Sequence, residues 1–411
     1  MRTHNLPDNF LLRVLLVGAV TMLCALSVEA QERASTPEPG KAVTAPLLTP
    51  VAPVANRTGQ TPTETPDPTA KLSTPPATDA ENPVPHVALL LPLASKMFGK
   101  VAEALKLGFI AGAQADGKNA PVYRVYTTED EGASLATIYR KAVTEGAIAI
   151  IGGVTRDGAN TIARESRFLP TLALNAPVVS SDNDLPDRFF YISLSLDVEA
   201  KLLARMASDE GLRSVAVVVA NSPLEKRIQE SFEKETLRLG GEIVARIAFG
   251  GDRSEAARVT AAMEKLGPKA SVIFLAADPT AARYVRPYLP VGMPVFTTSH
   301  SVDPNAAAVA NLDLDNVRFL EMPWFAERDH PAVMAYAKPA QALPVEVERL
   351  YALGIDAWRL GQLIVKTDIA KNLPPLDGVT GRITQDGHQL ARALSSVEIH
   401  DGKSQLYRRG E

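Results

Sequence analysis

Apolar positions fall into two alternating spacings from residue 86 onward. His86-Val-Ala-Leu-Leu-Leu-Pro-Leu93 is a short, nearly unbroken apolar run, the pattern of a strand buried on both faces. It passes directly into a segment with helical spacing. The alternation predicts strand 86–93, helix 99–116, strand 121–127, helix 131–145, strand 147–151, helix 156–167 and strand 171–174. After Phe189-Phe-Tyr-Ile-Ser193 a second series follows the same grammar. It predicts helix 196–210, strand 214–220, helix 224–239, strand 242–248, helix 253–266, strand 271–276, helix 279–288 and strand 294–297. Gly146, Gly240-Gly241 and Gly267-Pro268 stand where helix C-termini favour glycine. Units of about 30 residues suit βαβ crossovers and a parallel sheet. Glu346–Thr367 reads as one more long amphipathic helix, and Gly378–His400 as closing strands around the Asp386-Gly387 turn.

The stretch 86–411 exceeds the roughly 250–300 residues at which a single core stops growing, so two lobes are expected. The fold class is α/β, with two doubly wound Rossmann-like lobes and a central cleft. Open sheets of this kind bind ligands beyond the carboxyl ends of their strands.

The chain ahead of residue 86 has a different composition. In residues 1–30, Arg2 and Arg13 flank the start of an apolar stretch over Val14–Leu26, and Val28-Glu29-Ala30 resembles an export cleavage site before Gln31. A membrane anchor needs ~20 apolar residues, more than this run offers, so a cleaved signal peptide and a periplasmic location are expected. Cys24 is the chain's only cysteine, and Leu23 precedes it, a poor context for lipidation. Cleavage after Ala30 would leave no thiol for disulfides, catalysis or metal binding. Residues 31–85 hold 12 of the 31 prolines, ten threonines and no aromatic residue. Such a segment cannot bury enough apolar surface to offset its ordering entropy, and it reads as an extended, disordered linker.

Net charge is −4, and the leader's charges cancel, so the mature chain keeps −4. A mildly acidic chain without a basic stripe is no partner for nucleic acid or an anionic membrane, and no integral span remains in the mature chain. Gly112–Lys118 nearly spells a phosphate loop, but Asn119 replaces the magnesium-binding hydroxyl and the segment ends a helix. Asn311–Asp315 imitates a calcium loop, with Asn316 and Met322 where glycine and glutamate are required. No Gly-x-Ser-x-Gly elbow occurs, and the six histidines show no metal-ligand spacing. No catalytic residue, metal or cofactor is expected. The candidate ligand-binding residues are polar groups at strand ends facing the cleft: Ser95, Thr155, Arg156, Asn175, Asn221, Asp278, His300 and Trp324. Thr155, opening a helix after Gly152-Gly153, offers free N–H groups and a hydroxyl to a carboxylate.

Val87–Leu93, Ala104-Leu-Lys-Leu-Gly-Phe109 and the two βα series resemble type I periplasmic binding proteins. More narrowly, several segments are similar to the C-terminal domain of penicillin-binding-protein activators of the LppC/LpoA type. These are Leu172–Asn175, Tyr191–Ser195 with Glu199-Ala200, Met322-Pro-Trp324, Arg349–Ala357 and Leu376–Gly381. The resemblance spans about 86–411 and implies a non-enzymatic periplasmic regulator of peptidoglycan synthases. Its partner would be a penicillin-binding protein. The alternative is a transporter-type receptor for an amino acid or similar small polar ligand. In this fold the lobes would hold about 86–194 with 325–377, and 195–324 with 378–411. Such activators usually carry an N-terminal helical-repeat domain and a lipid anchor, whereas residues 31–85 are no such domain. A chain starting at Asn82 is expected to melt within about a degree or two of the longer mature chain by calorimetry, since no apolar surface is lost. A fall of several degrees would show that the segment docks.

Overall fold

The computed structural model describes residues 83–408 apart from 180, 182, 183, 251 and 368–371. The expected signal, Cys24 and nearly all of the expected linker lie outside the described residues.

The first sheet opens with β1 (His86–Leu91), every residue of which is buried. Its alternate side chains feed two cores. Val87, Leu89 and Leu91 pack with α1 (Gly99–Asp116) and α10 (Val345–Lys366). Ala88 and Leu90 pack with α2 (Ala133–Thr144) and α3 (Arg156–Glu165) on the other face. Parallel neighbours β2 (Tyr123–Thr127), β3 (Ala147–Gly152), β4 (Thr171–Ala173) and β5 (Phe189–Tyr191) extend the sheet.

The second sheet repeats the plan. Its parallel strands are β6 (Ser214–Ala220), β7 (Glu242–Phe249), β8 (Val272–Ala276), β9 (Val295–Thr297) and β10 (Val317–Glu321). Val215, Val217 and Val219 face one core, with α4 (Leu196–Asp209) and α5 (Pro223–Arg238). Ala216, Val218 and Ala220 face the other, with α6 (Arg253–Leu266) and α7 (Pro279–Val285). Strand ends and helix starts meet at polar caps: Thr155, Ser195, Asp252 and Asp278 each accept backbone N–H groups of the first turn.

After β10 the chain returns to the first lobe through two short helices, α8 (Pro323–Ala326) and α9 (Pro331–Met334), and then α10. The closing strands are β11 (Leu376–Gly378), β12 (Gly381–Asp386), β13 (Gln389–Ala393), β14 (Ser395–His400) and β15 (Lys403–Leu406). The strand orders are β11-β12-β13-β5-β4-β3-β1-β2 and β15-β14-β10-β9-β8-β6-β7. The expected assignment of 378–411 to the second lobe is therefore corrected. Residues 376–393 belong to the first sheet, and the last crossing falls at Leu394. Ile383 and Leu390 bury in the first-lobe core, and Gln389 pairs with Tyr191 of β5. A hairpin's own alternation does not say which sheet edge it extends, and only these long-range contacts decide it.

Three crossings join the lobes, at Leu194, Met322 and Leu394. Met322 lies in an apolar cluster with Trp324, Phe325, Tyr351 and Ile355, against which Leu194 and Leu394 pack. One small core thus holds all three connections.

α1 and α10 lie backbone to backbone. A Cβ on Gly108 would stand 1.8 Å from the Tyr351 carbonyl oxygen, and one on Gly354 would stand 2.1 Å from that of Leu105. Only glycine permits this approach. Gly354→Ala is expected to cost at least the ~1–3 kcal/mol typical of overpacking, measured by urea denaturation, because backbone cannot rotate aside. An unchanged midpoint would show that the helices slide apart freely.

Candidate functional site at the lobe junction

At the carboxyl edge of the first sheet, Thr155 caps α3 by accepting the Gly158 N–H at 2.9 Å. The loop before α2 sends the buried Glu131 carboxylate to the same place. Its Oε2 accepts the Thr155 N–H at 3.0 Å and the Thr155 hydroxyl at 3.3 Å. The group expected to receive a ligand's carboxylate already holds one of the protein's own. Burial raises the Glu131 carboxyl to about 7 against these hydrogen bonds. Next to it, Arg156 reaches across to Asp197 at 3.3 Å, at the start of α4 in the second lobe. Asp197 is also held by Arg227 at 3.0 Å and by the hydroxyls of Ser195 and Ser231.

Deeper in the junction, Arg349 of α10 donates two hydrogen bonds to Glu321 at the end of β10, at 2.5 and 2.7 Å. Both side chains are almost inaccessible, and the paired geometry is the strong, fork-like form of an arginine–carboxylate contact. Buried Glu199 accepts the Ser299 N–H and, at 2.9 Å, the Ser299 hydroxyl, and burial lifts it to about 7. Arg392 donates to the carbonyls of Ser193 and Thr380 at 3.1 and 2.8 Å, and burial draws its guanidinium down to about 10. Asp356, fully buried, accepts the N–H groups of Val379 and Thr380 and the Thr380 hydroxyl, and burial raises its carboxyl too.

The first turn of α10 adds a second set of bonds across the junction. Glu348 accepts the Trp324 indole N–H at 2.8 Å and the Asn305 amide at 3.1 Å, while Arg328 donates to Asn305 at 2.9 Å. In the second lobe, His300 lies 3.4 Å from buried Glu225. Burial opposes its proton, but the bond to Glu225 and the charges of Glu346, Glu225 and Asp278 together raise the imidazole above its ordinary value. Among the described residues, no cluster of three or more metal-ligating side chains occurs.

The eight candidate residues share strand-end positions but form no hydrogen-bonded group with one another. Ser95 accepts the Phe98 N–H in the turn before α1. Asn175 donates to the Val154 carbonyl at 3.0 Å and accepts the Ala176 N–H at 2.8 Å. Asn221 and Asp278 are exposed, the latter as the α7 cap. Trp324, expected to supply aromatic surface, is fully buried because the short α8 turns its ring into the crossing core. Thr155 and Arg156 engage Glu131 and Asp197. The residues that organise the junction, Glu131, Asp197, Glu199, Glu321, Arg349 and Arg392, were not among the candidates. For Arg349, as for Asp356 seven residues further on, the one sequence signal is a charge on the apolar, buried side of α10.

The raised carboxyls set a pH dependence. Glu131 and Glu199 bind protons more tightly folded, near 7, than unfolded, near 4.5. Their contribution is greatest below 4.5 and is lost as pH rises toward 7. His300, also raised, loses its contribution in the same direction. Glu235, held down to about 2 first by Arg238, destabilises only under stronger acid. The melting temperature is expected to rise by several degrees from pH 7.5 to 5.5, and Glu131→Gln with Glu199→Gln should flatten that rise. A profile level across this range in the parent chain would contradict the assignment.

Comparison with known proteins fits this architecture. Residues 77–402 match the family described as "LppC putative lipoprotein". The penicillin-binding protein activator LpoA of Enterobacter sp. (strain 638) is 24% identical over 68% of this chain and 44% of its own length. That of Klebsiella pneumoniae is 23% identical with the same coverages. This chain spans about half the length of the curated relatives it matches. A solved structure from Chromobacterium violaceum, described as a "putative branched-chain amino acid ABC transporter", is 30% identical. Its TM-score is 0.65, covering 77% of this chain and 100% of the other. The C-domain of Haemophilus influenzae LpoA, "a regulator of PBP1A", is 19% identical with a TM-score of 0.61, covering 79% of this chain and 100% of that one. The expected α/β architecture of the periplasmic-binding-protein-like type I class is the one observed. The family's description as lipoproteins gives no support to the expectation that Cys24 stays unmodified. With four-fifths of its length matched in one continuous span, the chain belongs to the LppC family.

Proposed function

We propose that this protein is a non-enzymatic, periplasmic regulator of peptidoglycan synthesis that acts by binding a penicillin-binding protein. The relatives named as penicillin-binding protein activators support the partner class. The observation that carries the reading is the Glu131 carboxylate seated on Thr155 at the α3 N-terminus. A solute's carboxylate would have to displace it, leaving a buried carboxyl without its hydrogen bonds at a cost of about 1–3 kcal/mol. Arg156–Asp197 and Arg349–Glu321 likewise commit junction charges to each other. No helix among the described residues is long and apolar enough to cross a membrane.

Solute capture is the second reading, favoured by the 30% identical transporter-type structure and by the acidic surroundings of His300. Two measurements separate them. Purified domain added to a penicillin-binding protein is expected to raise its glycan-polymerising rate while having no such activity alone. In a thermal-shift screen with the twenty amino acids at millimolar concentration, no rise is expected. A ligand at 100 times its Kd would add about 2.7 kcal/mol and be plainly visible. A clear rise with one amino acid, abolished by Asp278→Ala, would replace regulation with capture.

A further inference from the structure

Phe168, in the turn between α3 and β4, is 82% exposed. Large aromatic side chains seldom stand so far into solvent, and the surrounding turn is not slack. Ser166 is fully buried and its hydroxyl donates to the Ala163 carbonyl at 3.0 Å. The Arg167 N–H donates to the Glu165 carbonyl at 2.9 Å. Arg188 donates to the Phe168 carbonyl at 3.3 Å, and Leu169 packs into the first-lobe core. Both flanks are therefore fixed, and the ring is held outward by the backbone.

The rim of this knob is cationic. Arg164 and Arg167 are exposed, Arg188 is partly so, and among the described residues no carboxylate lies within ion-pair distance of any of them. The one acid on the last turn of α3, Glu165, is engaged by Arg140 at 2.6 Å. Arg164 has a local reason for its place, since a cation favours a helix C-terminus. Arg167 has none.

We infer that Phe168 with Arg164, Arg167 and Arg188 forms a docking knob for a penicillin-binding protein, on which it meets an apolar pocket rimmed by carboxylates. This rests on the regulator reading above. A rigid aromatic anchor ringed by arginines is the composition that dominates protein interfaces. Charge complementarity selects an acidic rim on the partner. An anionic membrane fits less well, because one ring buries little apolar surface and the chain as a whole carries −4.

The test uses the mature chain and a purified penicillin-binding protein, with affinity measured by calorimetry at two salt concentrations. Phe168→Ala is expected to weaken binding at least tenfold, and Phe168→Trp to retain it. Arg164→Glu with Arg167→Glu should slow association and weaken binding further at low salt than at high salt. The Phe168 variants should keep the parent melting temperature, since that ring supports no core, and the double arginine variant should lose only a few degrees, the share of Arg164 at its helix C-terminus. If the parent chain binds and the variants bind equally well, the knob is wrong and the regulator reading stands. If the parent chain does not bind, both fall. Phosphatidylglycerol vesicles supply the remaining arm: vesicle binding lost in the arginine variant, with penicillin-binding protein binding intact, would overturn the knob in favour of a lipid surface.

Discussion

The Arg349–Glu321 pair is the contact on which the arrangement of the lobes depends. Each partner alone would be a charge stripped of water, costing several kcal/mol, so neither can be buried without the other. Arg349 comes from a helix of the first lobe and Glu321 from the last residue of a strand in the second. Burying them together fixes where the lobes meet. Glu321 also accepts the N–H of Met322, so the ion pair and the second crossing share one carboxylate. Arg392 and Glu199 lie in the same electrostatic neighbourhood: burial dominates both of their shifts, and the charges of Arg349 and Glu321 act on each in opposite directions.

That pair can form only because α10 is placed by something stronger. Its 22 residues run about 33 Å, and the middle of the helix is clamped to α1 by the contacts at Gly108 and Gly354. Trp358 fills the space beside Gly112, with its indole N–H on Asp116 at 2.7 Å. With the middle fixed, the first turn overhangs the sheet and carries Glu346, Glu348 and Arg349 toward the other lobe. Small residues in two helices thus determine where a charge arrives little more than one turn away.

The βα order was legible because the inner strands are buried on both faces and the flanking helices on one, so periodicity and burial coincide. Val215 to Val219, alternating between two cores, is the plainest case. The hairpin β12–β13 was legible as a hairpin from Asp386-Gly387, but not as part of the first sheet, since pairing partners far along the chain settle that. The residues that pair across the junction were illegible for a related reason. Strand-end polar residues such as Thr155 and Asp278 are visible in sequence as caps, and caps they are. Glu131 and Glu321 gave no comparable sign, because a carboxylate beside a turn or at a strand end reads as solvated until a partner from another element is known.

A junction whose charges are paired internally behaves differently from one that waits for a solute. In a receptor, an empty cleft leaves polar groups in water, and the ligand gains by pairing them as the lobes close. Here Thr155 is held by Glu131, Arg156 by Asp197 and Arg349 by Glu321, so a polar ligand must first break bonds that are already made and partly or fully desolvated. The exchange starts at a loss, and the loss is largest at Arg349, where no water can compensate. Lobe separation is opposed by the same contacts, since Arg156–Asp197 and Glu348–Asn305 span the junction as well. A two-lobed fold latched in this way has little to gain from hinge motion around a solute, and its recognition chemistry is then expected on the outside of the lobes.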